Sequence, residues 1–311
     1  MAATAPDAKL ERSSRTLFPA GPTQRRGEVL LLLGPCVLYL VAFSVYPLAV
    51  SLIRSFQEYD SRADSWTWIW FGNYQELFTS PEFWQTVEHT AVFTFGGVAI
   101  QVVLGTALAL FFNQRLRGSA IVRAILILPM LLTPIVVGLM WRMLLNPEWG
   151  MLNWLAGQVG FHNVGWLSDP GTALRMLIVV DCWQWTPFVF IIVYARLQTL
   201  PQDVFEAAEV DGATWRQRTR YITLPLLAPA IVFAAVFRGI DAFRTFDLVY
   251  GLTNGGPVQA TSTLSFEAFQ NGFQYFRYGY ASAIAYVMVL TAAIGITLLF
   301  KVVRVRREEF A

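Results

Sequence analysis

Lysine is almost missing from this chain: of its 23 basic residues only Lys9 and Lys301 are lysine. A phosphate-cradling P-loop needs Gly-Lys followed by Ser or Thr, and these two lysines follow Ala8 and Phe300. That motif is therefore absent. Cysteine is as scarce. Cys36 and Cys182 both fall inside long apolar runs, where a small buried side chain explains them better than a disulfide or a metal site. The histidines His89 and His162 stand outside any metal-ligand spacing, and neither is assigned a catalytic role. Charge is thin, with 14% of residues charged against 55% hydrophobic. With a mean hydropathy of +0.48, the chain lies outside the soluble globular range. No nucleophile–base set is recognisable, so no catalytic residue is assigned, and no nucleic-acid partner is expected.

What is there in quantity is apolar length. A hydrocarbon core about 30 Å thick needs roughly 20 mainly apolar residues per helical crossing. Uncharged runs of that kind occupy Val29–Ile53, Thr90–Phe112, Ala124–Trp141 and Tyr278–Phe300. Two more, around Met176–Ala195 and Leu226–Leu248, carry internal charges. The reading is an all-α integral membrane protein with six crossings over 29–303. The runs are continuous rather than alternating ten-residue segments, which speaks against a β-barrel. Residues 1–28 are polar and basic and read as a tail, as do 304–311. The first run lacks a small-residue cleavage site and reads as a retained anchor.

Basic residues sort by loop. One side collects Lys9, Arg12, Arg15, Arg25 and Arg26, then Arg115, Arg117 and Arg123, then Arg196, Arg216, Arg218 and Arg220, and finally Lys301, Arg304, Arg306 and Arg307. The other side has Arg54, Arg62 and Arg277. The positive-inside rule then assigns both termini and the 196–225 loop to the cytoplasm. The outward loops are rich in Trp and Tyr, including Trp66, Trp68, Trp70 and Trp149. An aromatic belt at the outer interface accounts for most of them.

The 196–225 loop is the most specific stretch. Pro201 and Asp203 mark a helix start over Gln202–Val210. Val204, Ala207 and Ala208 recur at helical spacing and form a small, smooth apolar face, flanked by Glu206 and Glu209. Gly212 suits the left-handed position that ends such a helix. With Glu206, Glu209 and Asp211 within six residues and no Lys or Arg from Gln198 to Trp215, anionic lipid would not attract it. A protein partner fits better.

The pattern Glu206-Ala207-Ala208, three residues, Gly212, nine residues, Ile222-x-Leu224-Pro225 resembles that of permease subunits of binding-protein-dependent ABC importers. Asp211 lies within it. A second stretch, Leu252-Thr253-Asn254-Gly255-Gly256-Pro257 with Thr261, Leu264 and Gly279-Tyr280-Ala281-Ser282-Ala283, is similar to the sugar-importer branch, the maltose and glycerol-phosphate permeases. The resemblance covers Val29 to Val303. It implies the type I importer permease fold, in the compact six-helix form without extra N-terminal helices. It also implies alternating access in a bacterial inner membrane, and a coupling helix seated in a separate ATPase dimer that holds ATP and Mg. A second homologous permease and an extracytoplasmic binding protein or lipoprotein complete the implied assembly. The chain, arginine bias included, resembles an actinobacterial sugar permease, with trehalose or another disaccharide the expected solute and glycerol phosphate the alternative. A self-contained channel or secondary transporter is a further reading.

Such a transporter needs a polar route. Arg238, Asp241, Arg244 and Asp247 recur every three residues along the fifth crossing. Each lone charge at a bilayer centre costs about 2.5–3.5 kcal/mol, so four do not face lipid. They read either as a salt-bridge ladder between helices or as lining of the solute pathway. Asp181 reaches a depth similar to Arg238 and is its expected partner. Trp183, Gln184 and Trp185, ahead of Pro187, offer aromatic faces and an amide that suit a sugar. Asn254 in the Gly-Gly-Pro turn is a candidate gate or contact for an external binding protein, and the turn reads equally as a plain reversal of the chain. Pro129, Pro134 and Pro187 are expected flex points.

Overall fold

The apolar runs and their proline breaks set the element order. The computed structural model describes residues 22–60, 62–114, 118–161 and 164–308, with side chains described between 31 and 297. Arg115, Arg117, His162, residues 1–21 and residues 309–311 lie outside the described residues. Contacts divide the chain between Ser51 and Leu52. The first unit is a helix, α1, that starts at Pro22–Leu40, passes a π turn at Val41–Val45 and continues through Tyr46–Ser55, whose last turn belongs to the second unit. The backbone is thus helical from Pro22 onward, inside the stretch expected to be a tail.

The second unit opens with a two-stranded antiparallel hairpin, β1 (Gln57–Asp60) and β2 (Ser65–Trp68), in which Gln57 faces Trp68. The short helix α2 (Gly72–Thr79) follows, then α3 (Pro81–Phe112), which Ser80 starts by accepting from the Phe83 N–H. Next come α4 (Ser119–Leu131), α5 (Pro134–Leu144), the short α6 (Met151–Gln158) and the long α7 (Pro170–Leu197). The chain continues with α8 (Gln202–Val210), α9 (Trp215–Phe243), α10 (Asp247–Leu252), α11 (Leu264–Phe269) and α12 (Tyr278–Glu308). Helix α12 carries the backbone through residues 304–308 without a break.

Among the described residues five helices are long and apolar enough to cross a membrane, and α4 with α5 make a sixth if that bent pair is one span. The crossing expected as a continuous run over Ala124–Trp141 is bent by 100°. Its cause is local. Pro129 sits in a 3-10 turn, Leu132 and Thr133 are extended, and Pro134 starts the next helix. A residue before proline is pushed out of the helical region, so Thr133 cannot continue α4. Pro187, by contrast, lies within an unbroken α7. The helix of the fifth crossing, expected over Leu226–Leu248, begins at Trp215. A π turn at Thr219–Thr223, in which the Leu224 N–H reaches the Thr219 carbonyl, precedes Pro225. The widened turn falls where proline's missing N–H and its ring disturb the helical ladder.

Helices α3, α7 and α9 pack on one another and form the centre of this unit. One buried cluster joins Phe93, Leu177, Val180, Leu248 and Phe266, and another joins Ala109, Phe190, Val193, Leu197 and Leu227. Arg142 and Arg175, which the loop count of basic residues leaves out, lie at the ends of α5 and α7 that face the 145–169 connection.

Candidate functional site

Helix α8 occupies the residues expected of it. Pro201 caps it and Asp203 lies in its first turn. Its C-terminus closes as a Schellman turn: the Ala213 N–H donates to the Ala208 carbonyl at 2.9 Å and the Gly212 N–H to Glu209 at 3.0 Å. That turn needs a left-handed residue, and Gly212 has φ +73°. Thr214 and Gln217 then form a reciprocal capping box that starts α9. Arg218 on α9 pairs with Glu209 on α8. The ion pair, the Schellman turn and the capping box hold α8 at a set angle to the first turns of α9.

The twin alanines divide. Ala208 is buried at 8% and Phe205, one turn earlier, packs against the cluster of Leu197, Leu200 and Leu227. Val204, Glu206 and Ala207 are exposed, and Val210 is 89% exposed. The smooth face expected from Val204, Ala207 and Ala208 is therefore corrected: Ala208 belongs to the inward face with Phe205. The periodicity of i, i+3, i+4 could not tell the two faces apart, because Phe205 and Ala208 share the same spacing. Asp211 and Pro225 are exposed, Ile222 is half-buried, and Leu224 lies at 36% exposure. Between them Thr223 and Leu227 turn inward.

The second grouping lies where α3, α7 and α9 meet. Arg238 is 1% exposed, Asp181 2% and Gln101 is fully buried. The Arg238 Nη2 donates to both Asp181 oxygens, at 3.2 and 2.9 Å, and its Nε to Gln101 Oε1 at 2.9 Å. Gln101 Nε2 in turn donates to Asp181 Oδ2 at 2.6 Å. Arg238 Nη1 pairs with Asp241, whose side chain is 38% exposed. The Trp185 ring covers the guanidinium with its centroid 4.8 Å from Cζ. Every member is paired, which is the condition for keeping charges at this depth.

Next to this cluster is a cavity of about 150 Å³, lined by Pro134, Asp181, Trp185, Asp241, Arg244, Thr245, Phe246, Asp247 and Leu248. The expected Asp181–Arg238 pair is present. The ladder of four charges on one helix is not. Helix α9 ends at Phe243, Arg244 to Phe246 are non-helical, and Asp247 opens α10. Among the described residues neither Arg244 nor Asp247 forms an ion pair, and both reach the cavity instead. The chain break follows from local preference. Arg-Thr-Phe-Asp offers no small apolar residue to continue the seam, and Asp247 suits a new helix start.

Three candidates lie elsewhere. Trp183 packs edge-on against Trp141, with centroids 5.5 Å apart, and does not line the cavity. Gln184 is fully buried and donates its amide to the Leu132 carbonyl at 2.9 Å, at the break between α4 and α5. Asn254 is exposed, with φ +52°. The Gly-Gly-Pro turn around it has a packing reason: a Cβ on Gly255 would lie 2.3 Å from the Phe266 ring. Gln101 and Phe205 were not singled out from the sequence. Gln101 is the one amide side chain between Thr90 and Phe112, and that isolation in an apolar run was the available signal.

The match to known proteins is consistent across sequence and fold. The chain is 38% identical over 237 residues to the trehalose/maltose transport system permease protein MalF of Thermococcus litoralis, covering 76% of this chain and 80% of that protein. It is 33% identical over 257 residues to the trehalose transport system permease protein SugA of Mycobacterium tuberculosis, covering 82% and 81%. In fold it is similar to a chain from a bacterial ABC transporter involved in the import of the acidic polysaccharide alginate. There the TM-score is 0.78 at 22% identity, over 92% of this chain and 96% of that one. The fold is that of an all-α type I importer permease, a membrane-embedded transporter subunit. Residues 101–307 match the model of the binding-protein-dependent transport system inner membrane component family, and the chain belongs to that family.

Proposed function

We propose that this chain is a permease subunit of an ATP-driven importer that moves a disaccharide, with trehalose first among the candidates, by alternating access. The observation that carries the reading is the exposed side of α8, where Glu206, Ala207 and Val210 lie on a helix clamped to α9. A partner that pushes on that side moves α9, and α9 carries Asp241 at the cavity with Arg238 paired to it from behind. The coupling residues on this reading are Glu206, Ala207, Asp211 and Gly212, with Ala208, Ile222, Leu224 and Pro225 setting how the loop meets the membrane helix. ATP and Mg belong to the partner ATPase dimer. Without a partner that interacts differently with the two conformations, no gradient can be opposed.

Relatives named for trehalose and maltose support a sugar. So does the cavity. Three carboxylates and one guanidinium line it, beside the Trp185 face. Hydroxyl groups can donate to such carboxylates, whereas a phosphate would be repelled, which disfavours glycerol phosphate. At about 150 Å³ it is smaller than the roughly 300–1,000 Å³ of pockets that enclose a ligand of this size. A second, homologous permease would supply the missing wall, and an external binding protein would deliver the solute. The basic-residue count supports placing α8 and both termini in the cytoplasm of a bacterial inner membrane.

The test is uptake of radiolabelled trehalose by cells whose own copy of this chain is deleted and replaced. Wild type should restore ATP-dependent uptake, and Glu206→Arg should abolish it at unchanged abundance. Uptake by the purified chain alone in ATP-free liposomes would make it a self-contained transporter instead.

A further inference from the structure

We infer that Gln101 is a positioning residue for solute recognition: its amide aims the buried Arg238 so that Asp241 is held at the cavity wall. The inference rests on the solute reading above, but its geometry is independent of which sugar is carried. Gln101 is the member of α3 that reaches the polar cluster, and it bridges both charges at once. Its Oε1 takes the Arg238 Nε–H at 2.9 Å, and its Nε2–H goes to Asp181 Oδ2 at 2.6 Å. With Nε and Nη2 occupied in this way, the remaining edge of the planar guanidinium turns Nη1 toward Asp241. The planar fork of arginine makes this directional: fixing two of its nitrogens fixes the third.

The division of exposure gives the arrangement its meaning. Gln101, Asp181 and Arg238 are buried, and Asp241 is the partly open end of the chain of contacts. A solute in the cavity would meet Asp241 as a hydroxyl acceptor whose charge and orientation are set from behind. Loss of the Gln101 carbonyl leaves a buried N–H unpaired and frees the guanidinium to rotate toward Asp181 alone. The charged and titratable groups facing position 101 are Asp181 and Cys182 from α7 and Arg238 from α9, with Asp241 beyond it. Its own helix brings no charged residue between Thr90 and Phe112.

An exchange of the two groups tests this. Gln101→Glu alone sets two carboxylates against each other, and Asp181→Asn alone leaves Arg238 short of charge. The double variant Gln101→Glu with Asp181→Asn restores one carboxylate and one amide with the same net charge. The melting temperature of the detergent-solubilised full chain should fall in each single variant and return toward wild type in the double. In cells, Gln101→Leu should raise the half-saturation concentration for trehalose about tenfold, the size of one lost hydrogen bond to a charged group, at equal abundance. Its maximal rate should change far less. Failure of the exchange to restore the melting temperature overturns the bridge. A fall in abundance or maximal rate with an unchanged half-saturation concentration overturns the recognition role. Should wild type carry no trehalose, the solute reading fails, and the exchange still decides the bridge on its own.

Discussion

Arg238 concentrates the physical problem of this molecule in one side chain. A guanidinium buried at 1% exposure survives because Asp181, Asp241, Gln101 and Trp185 surround it. Removing one partner of such a set leaves a charge uncompensated, at a cost of about 3–5 kcal/mol. Arg238→Ala should therefore lower the amount of folded chain in membranes, read by detergent-resistant fluorescence of a tagged copy. Replacing both Arg238 and Asp181 by leucine should restore that amount while uptake stays absent. Glu267 is the second residue with a cost attached. Burial pushes its carboxyl above the usual range, and one of its oxygens has no hydrogen-bond partner. A carboxyl raised in the folded state stabilises below its ordinary titration range and loses that contribution as pH rises through the raised value. Glu267→Gln should raise the melting temperature at pH 7, and the advantage should disappear near pH 4. An equal gain at both values would refute the assignment.

At the scale of elements, α8 separates two roles that its sequence ran together. Ala208 seals against the chain's own bundle and Ala207 does not. Ala208→Trp should destabilise the chain itself by overpacking, about 1–3 kcal/mol, and reduce its abundance. Ala207→Trp should leave abundance and melting temperature intact while uptake is lost. The same result for both variants would mean that the helix has one face rather than two. Much of α8 was legible beforehand, because proline, aspartate and glycine are local signals that tertiary packing did not override. The bend at Leu132–Thr133 was legible only in part. Pro129 and Pro134 announced a weak point, but a 100° turn depends on where the freed backbone groups find partners. One of those partners, the Gln184 amide, comes from α7, 52 residues away. The end of α9 at Phe243 was missed for a similar reason. Charges three apart look continuous on a helical wheel, and nothing in the spacing says that Arg244 and Asp247 open into a cavity.

Across the whole molecule, the positions of the apolar helices were readable because the bilayer imposes length on sequence so strictly, while the third of the six expected crossings is a pair bent by 100°. What lay beyond reach were contacts between distant segments. Gly279 is an instance: a Cβ there would lie 1.8 Å from the Gln57 carbonyl oxygen, so the start of α12 is fitted against the β1–β2 hairpin. Gly255 and Gly279, one in each half of the second motif, thus have packing reasons that the sequence alone does not show. On the proposed function, the exposed side of α8 is gripped by an ATP-hydrolysing partner and α9 carries the movement to the cavity. The most direct measurement is affinity purification of the tagged chain from its native membrane, with ATPase activity assayed in the eluate. Wild type should bring down vanadate-sensitive ATPase activity, and Ala207→Trp should bring down chain of the same abundance without it. ATPase activity that co-purifies equally with both would contradict the account.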